Sequence, residues 1–130
     1  MKLKSRVTWV FTALLSTAIA TGALLKLAAF PPFVAVYSKT GMVQYLKVLG
    51  SAELIFLTLF LFPRTMRIGL LLLTAYFGGA MAVELSHGGY FMMPAIILAF
   101  LWIIAYLRDA SLFHQTLIQK TPFTSLQTME

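Results

Sequence analysis

The sequence contains no cysteine, which excludes thiol redox chemistry, structural disulfides and thiolate-bound zinc or iron–sulfur clusters. Acid is scarce, with four Asp and Glu against ten Lys and Arg, and there are only two histidines. Charged residues make up 11% of the chain, whereas a soluble domain carries about 25%. That shortage, beside a hydrophobic content of 60%, excludes a disordered chain and an ordinary soluble enzyme. Its 130 residues suffice for one domain.

What is present is apolar sequence in long runs. A bilayer core of roughly 30 Å asks for about 20 mainly apolar residues per helix. Val7 to Leu25 carries no charge, and neither does Tyr90 to Leu107. Leu46 to Phe62 is interrupted by Lys47 and Glu53, and Ile68 to Leu85 by Glu84 alone. These stretches predict an all-α integral membrane protein: a four-helix antiparallel bundle with helices near 7–27, 45–62, 68–87 and 90–107. Residues 1–110 then form the transmembrane domain and 111–130 a short cytoplasmic tail.

Charge sets the orientation. Lys2, Lys4 and Arg6 precede the first helix, Arg64 and Arg67 fill the second loop, and Arg108 and Lys120 follow the last helix. An even number of spans puts these places on one side, and the positive-inside rule makes that side the cytoplasm, N-in and C-in. The net charge of +6 therefore reads as a topology signal that also touches anionic lipid, with no separate patch for nucleic acid. A cleavable signal peptide ending near Ala18-Ile19-Ala20 is the competing reading of the N-terminus. The apolar run is membrane-length and continues past Ala20 to Leu25, which favours a retained helix.

Local punctuation supports this division. Pro31-Pro32 stops the first helix, and residues 28–42 are apolar and aromatic but too short to span. That segment is expected along the outer surface or partly over the bundle. Gly41 marks a turn, Pro63 ends the second helix, Gly88-Gly89 ends the third, and Pro94 falls in the first turn of the fourth. In the tail, Leu112, Phe113, Leu117 and Ile118 predict a short interfacial helix before Pro122. Ala75-xxx-Gly79 and Gly78-xxx-Ala82 are pairs of small residues that allow close helix approach, expected here to serve packing within the bundle.

Ionisable residues inside a membrane are costly and mark function or structure. With a rise of about 1.5 Å per residue, Lys26, Glu53, Glu84 and His87 all fall in the outer third of the bundle. Glu84 and His87 are three apart and share a helix face. Lys26 and Glu53 are expected to form a fixed ion pair, with Glu84 and His87 facing a ligand and Tyr45 and Tyr90 at the pocket rim. Gly22, Gly50 and Ala80 lie about one turn from Lys26, Glu53 and Glu84, leaving room for a ligand, a water or a close helix. The alternative is a structural polar knot, with Lys26 and Lys47 snorkelling to the surface.

Several chemistries fail on spacing. His87 and His114 fall at opposite ends, which excludes bis-histidine haem, and Glu84-xx-His87 has no second copy for a di-metal site. No metal site and no catalytic set is assigned. There is no glycine-rich phosphate loop.

The order and spacing of several short pieces resemble the DoxX-like small membrane proteins. The pieces are Lys26-Leu27, Tyr37-Ser38-Lys39-Thr40-Gly41, Gly50-xx-Glu53, Gly79-Ala80 with Glu84, and Leu107-Arg108-Asp109. Members of that family often carry a histidine where this chain has Glu84. The resemblance implies a four-helix protein of a bacterial inner membrane and little about activity. The reading that follows is a membrane protein binding a small amphipathic or quinone-like molecule, as accessory to a larger membrane system. A quinone-linked redox subunit and a purely structural assembly subunit, alone or as a homo-oligomer, remain open.

Overall fold

A computed structural model of the chain describes residues 2–114. Among the described residues every regular element is helical. They are α1 (Lys2–Leu27), α2 (Pro31–Lys39), a 3₁₀ turn (Val43–Tyr45), α3 (Leu46–Leu61), α4 (Met66–Ser86), α5 (Met92–Arg108) and the single turn α6 (Ser111–His114). Three of these stretches, Lys2–Leu27, Val43–Leu61 and Met66–Ser86, are long and apolar enough to cross a membrane. Only 22%, 28% and 22% of their most apolar windows are buried in the protein. The rest is apolar surface, including Trp9, Phe11, Leu14, Val48, Ile55 and Leu71, which suits lipid and not water. α5 is apolar too but shorter, at 17 residues.

The helix ends follow from their sequences. α1 closes in a Schellman arrangement, the Phe30 N–H donating to the Leu25 carbonyl and the Ala29 N–H to that of Lys26. Ala29 adopts the left-handed conformation this needs, at φ 52°, where glycine is usual. Gly41 and Gly88 close α2 and α4 in the same way, at φ 69° and 68°. Pro31 and Pro32 are therefore not the stop expected from the sequence. They occupy the first turn of α2, where a missing N–H costs nothing, so the segment expected to be too short to span contains a helix of its own. α1 also begins earlier than Val7, because Lys2, Lys4 and Arg6 continue the helix beyond the apolar run.

Packing is pairwise around a ring: α1 on α3 and α5, and α4 on α3 and α5. Ile19, Leu57, Phe60, Met66, Leu70, Leu73, Phe77, Leu101, Ile104 and Ala105 fill its centre. Two glycines set the closest approaches. A methyl on Gly69 would fall on the Phe60 backbone, and one on Gly50 would stand 2.8 Å from the Ala23 carbonyl oxygen. Gly78 and Gly79 behave otherwise, since a methyl on either meets nothing within 4 Å. Gly79 and Ala82 are exposed on α4, so the small-residue pairs do not pack within the bundle as expected.

Arg108 ties the two far ends together. Its guanidinium donates to the carbonyls of Phe60 and Leu61, each at 2.9 Å, and lies over the rings of Trp9 and Phe60. The end of α5 thus meets the end of α3 and the start of α1, while Lys26 near the end of α1 meets Glu53 in the first half of α3. α1 and α3 are consequently antiparallel. Of the expected tail helix, Leu112 packs on the core and Leu117, Ile118 and Pro122 lie outside the described residues, as does the side chain of Phe113.

Candidate functional site: a buried ion pair beneath an apolar cavity

The Lys26 ammonium stands 2.6 Å from a Glu53 carboxylate oxygen. It also donates to the Tyr76 hydroxyl at 3.0 Å, and that hydroxyl donates to the same Glu53 oxygen at 3.3 Å. Lys26 and Glu53 are 7% and 3% exposed, so both charges are out of solvent and neutralise each other. Lys26 therefore turns inward and does not snorkel, whereas Lys47 is exposed. α1 contributes the cation, α3 the anion and α4 the phenol, so one triad links three helices.

Tyr76 is the member that sequence reasoning missed. A phenol within an apolar helix needs a partner for its hydroxyl. It lies eight residues before Glu84, about 12 Å deeper along the helix by the usual rise. That depth matches Glu53 and would have identified it. Its ring packs edge-on against Phe56 and Phe77, at centroid separations of 6.4 and 5.2 Å, which fixes where the hydroxyl points.

Beside the triad is a cavity of about 290 Å³ between α2, the start of α3 and the C-terminal half of α4. Its wall is mainly apolar, with Val36, Leu49, Ala75, Gly79, Ala80 and Val83. Four polar side chains reach it: Tyr37, Thr40, Tyr76 and Glu84. The Tyr37 hydroxyl, on α2, is pushed up to about 12 by burial first and then by the carboxylates of Glu53 and Glu84. It is therefore protonated throughout the physiological range. α2 thus forms one wall of the cavity, held between the left-handed Ala29 and Gly41.

The remaining expected residues divide. Glu84 lines the cavity and is half-buried. His87 does not: it is the exposed residue just past the end of α4, its ring nitrogen 2.9 Å from the Ser86 hydroxyl and 3.0 Å from the Val83 carbonyl. Helical spacing put Glu84 and His87 on one face, but the chain leaves the helix at His87 and turns at Gly88. Tyr45 and Tyr90 are exposed at 50% and 71% and stand clear of the cavity, whose rim is made by Tyr37 and Thr40 instead. Among the described residues no three His, Cys, Asp or Glu side chains gather as a metal site.

A second hollow, of about 570 Å³, opens at the opposite end between Lys4, Trp9, Pro63 and Arg108. Its guanidinium is already engaged by the α3 carbonyls, and Asp109 by the hydroxyl and N–H of Ser111. The cavity beside the triad is the better-formed site.

Compared with known proteins, the chain matches no family model, no curated protein and no solved structure.

Proposed function

We propose that this chain is a four-pass, DoxX-like protein of a bacterial inner membrane that binds a small amphipathic molecule in the outer-leaflet cavity, as accessory to a larger membrane system. The observation that carries the reading is the 290 Å³ cavity itself, apolar along its walls and polar at Tyr37, Thr40, Tyr76 and Glu84. Small-molecule sites are concave and apolar, with a few polar groups that fix orientation. Its volume sits at the low end of the usual range, which suits one headgroup with the start of its chain.

α5 is the fourth span. Its 17 residues rise about 25 Å, and Tyr90 and Phe91 before it extend the apolar length. Lys2, Lys4, Arg6, Arg64, Arg67 and Arg108 are basic at one end, against Lys39 and Lys47 at the other, which orients both termini to the cytoplasm. The Lys26–Glu53–Tyr76 triad serves as the rigid floor of the site. Its complete pairing also favours a second reading, a structural assembly subunit without a ligand, because buried side-chain polar atoms lack no partner among the described residues.

A photoreactive long-chain alcohol separates the two. Crosslinked to the wild-type protein in a neutral detergent, it is expected to label the segments 36–49 and 75–84. Gly79→Leu fills the cavity from a position with open space around it and should abolish that labelling. Equal, diffuse labelling of every apolar helix in both proteins would remove the ligand site and leave the assembly subunit.

A further inference from the structure

We propose that the cavity selects amphiphiles whose head is a positively charged amine, held against the Glu84 carboxylate. This rests on the cavity being an amphiphile site and names the class it takes.

The argument is one of charge and hydrogen-bond sense. Glu84 is the one ionisable acid on the wall, and no Lys, Arg or His lines the cavity with it. Lys26, the nearest buried cation, is engaged by Glu53 and Tyr76 and does not reach the lining. Among the described residues Glu84 makes no ion pair, although Glu53, on the neighbouring helix, is paired at 2.6 Å. Half-buried at the mouth of the cavity and lying against the exposed Gly88–Gly89 turn, the Glu84 carboxylate is open to a cation that enters there.

The other polar groups agree. The Thr40 hydroxyl donates to the Tyr37 carbonyl at 3.1 Å, and the Tyr76 hydroxyl donates to Glu53. Both protons are thus committed elsewhere, and because the Tyr76 oxygen already accepts from Lys26, it is the Thr40 oxygen that is left as an acceptor toward the cavity. With Glu84 and Thr40 accepting, the wall is short of donors. An ammonium carries donors and no acceptor, and matches it. A quinone carries two carbonyl acceptors and needs donors, which leaves only the Tyr37 hydroxyl for it. A phosphate or carboxylate head would face Glu84 with like charge.

Glycine at position 89 contributes to the placement. A side-chain carbon there would collide with a Glu84 carboxylate oxygen, so the missing side chain is what lets the carboxylate fold over the Gly88–Gly89 turn. The Gly89 N–H donates to the Glu84 backbone carbonyl at 2.7 Å and holds that turn against the end of α4.

Three photoreactive probes of equal chain length, bearing an amine, an alcohol or a carboxylate head, test the proposal on the full-length protein in a neutral detergent. The amine is expected to label the cavity segments roughly three- to tenfold more strongly than the alcohol, the range of a charged hydrogen bond at a half-exposed site. The carboxylate should label least. Glu84→Gln, conservative in shape and away from the Lys26–Glu53 pair, should bring the amine down to the level of the alcohol. Gly89→Ala keeps the charge but displaces it, and should reduce the amine preference without removing alcohol labelling. Equal labelling by amine and alcohol in the wild type, or an amine preference that survives Glu84→Gln, would overturn the charge selectivity while the amphiphile site stands. Cavity labelling by none of the three would overturn both.

Discussion

Gly50 of α3 lies so near Ala23 of α1 that a side-chain carbon on the glycine would stand 2.8 Å from the Ala23 carbonyl oxygen. The same carbon would be 3.1 Å from Leu27 Cγ and 3.2 Å from Lys26 Cβ. Three residues on, Glu53 receives the Lys26 ammonium. The ion pair therefore depends on a helix separation that only glycine permits, and a backbone carbonyl cannot move aside as a flexible side chain would.

Gly50→Ala is accordingly expected to force α1 and α3 apart and to destabilise the fold by roughly 1–3 kcal/mol, as overpacking does. Gly69→Ala, aimed at the Phe60 backbone, should cost at least as much. Gly78→Ala meets nothing within 4 Å and should stay within about 0.5 kcal/mol of wild type. Thermal unfolding in detergent, followed by helical circular dichroism, ranks the three. A neutral Gly50→Ala would show that the interface relaxes freely.

The Lys26–Glu53 pair should behave as a unit. Removing one partner leaves a buried charge alone, which typically costs about 3–5 kcal/mol. Lys26→Met and Glu53→Gln are each expected to fall in that range. The double variant should be more stable than the sum of the singles predicts, because no bare charge remains. Additive losses in a denaturant series would mean that the two residues act independently and that Tyr76 holds each by itself.

Arg108 makes a different kind of tie. Its two donors satisfy carbonyls of the last turn of α3, where no following residue can, and its plane lies over two rings. Arg108→Lys keeps the charge but loses the planar fork, and should destabilise by about 1.5–3 kcal/mol, the value of hydrogen bonds to a charged group. Because Trp9 lies beneath the guanidinium, its fluorescence should shift in the same variant. An unchanged spectrum and melting point would remove the tie.

Much of this architecture is legible in the residues. Charge-free runs mark the helices because lipid tolerates little else, and the depth of Lys26 and Glu53 follows from counting turns. Glu84 was found by the same counting. His87 was misplaced because helical spacing carries no information about where the helix ends, and Gly88 ends it one residue later. Pro31-Pro32 was misread for a related reason: proline forbids the interior of a helix and favours its first turn, and sequence alone gives both meanings. Tyr37 was invisible as a cavity wall, since its position depends on how α2 turns back between Ala29 and Gly41. The small residues of α4 show the limit of motif reading. Ala75 and Gly79 line a cavity instead of a helix interface, and no spacing rule distinguishes the two.

The number of spans is open to a direct test, and the absence of native cysteine makes it clean. Lys39 stands at the end of α2, Arg64 between α3 and α4, and Ser111 just past α5. All three are exposed, so a single cysteine at each reports which side of the membrane it faces without disturbing packing. With four spans and both termini inside, a membrane-impermeant maleimide applied to intact cells should label Lys39→Cys alone. Arg64→Cys and Ser111→Cys should react only after permeabilisation. If Ser111→Cys reacts from outside while Arg64→Cys does not, α5 stays on the outer surface and the chain has three spans. That result would also move the Arg108 contact with Phe60 and Leu61 out of reach, because both carbonyls lie at the C-terminal end of α3, on the side to which the proposed topology assigns Arg64. The bonded geometry of Arg108, which sets the end of α5 beside the end of α3, is thus an argument for the proposed fourth crossing that does not depend on hydropathy.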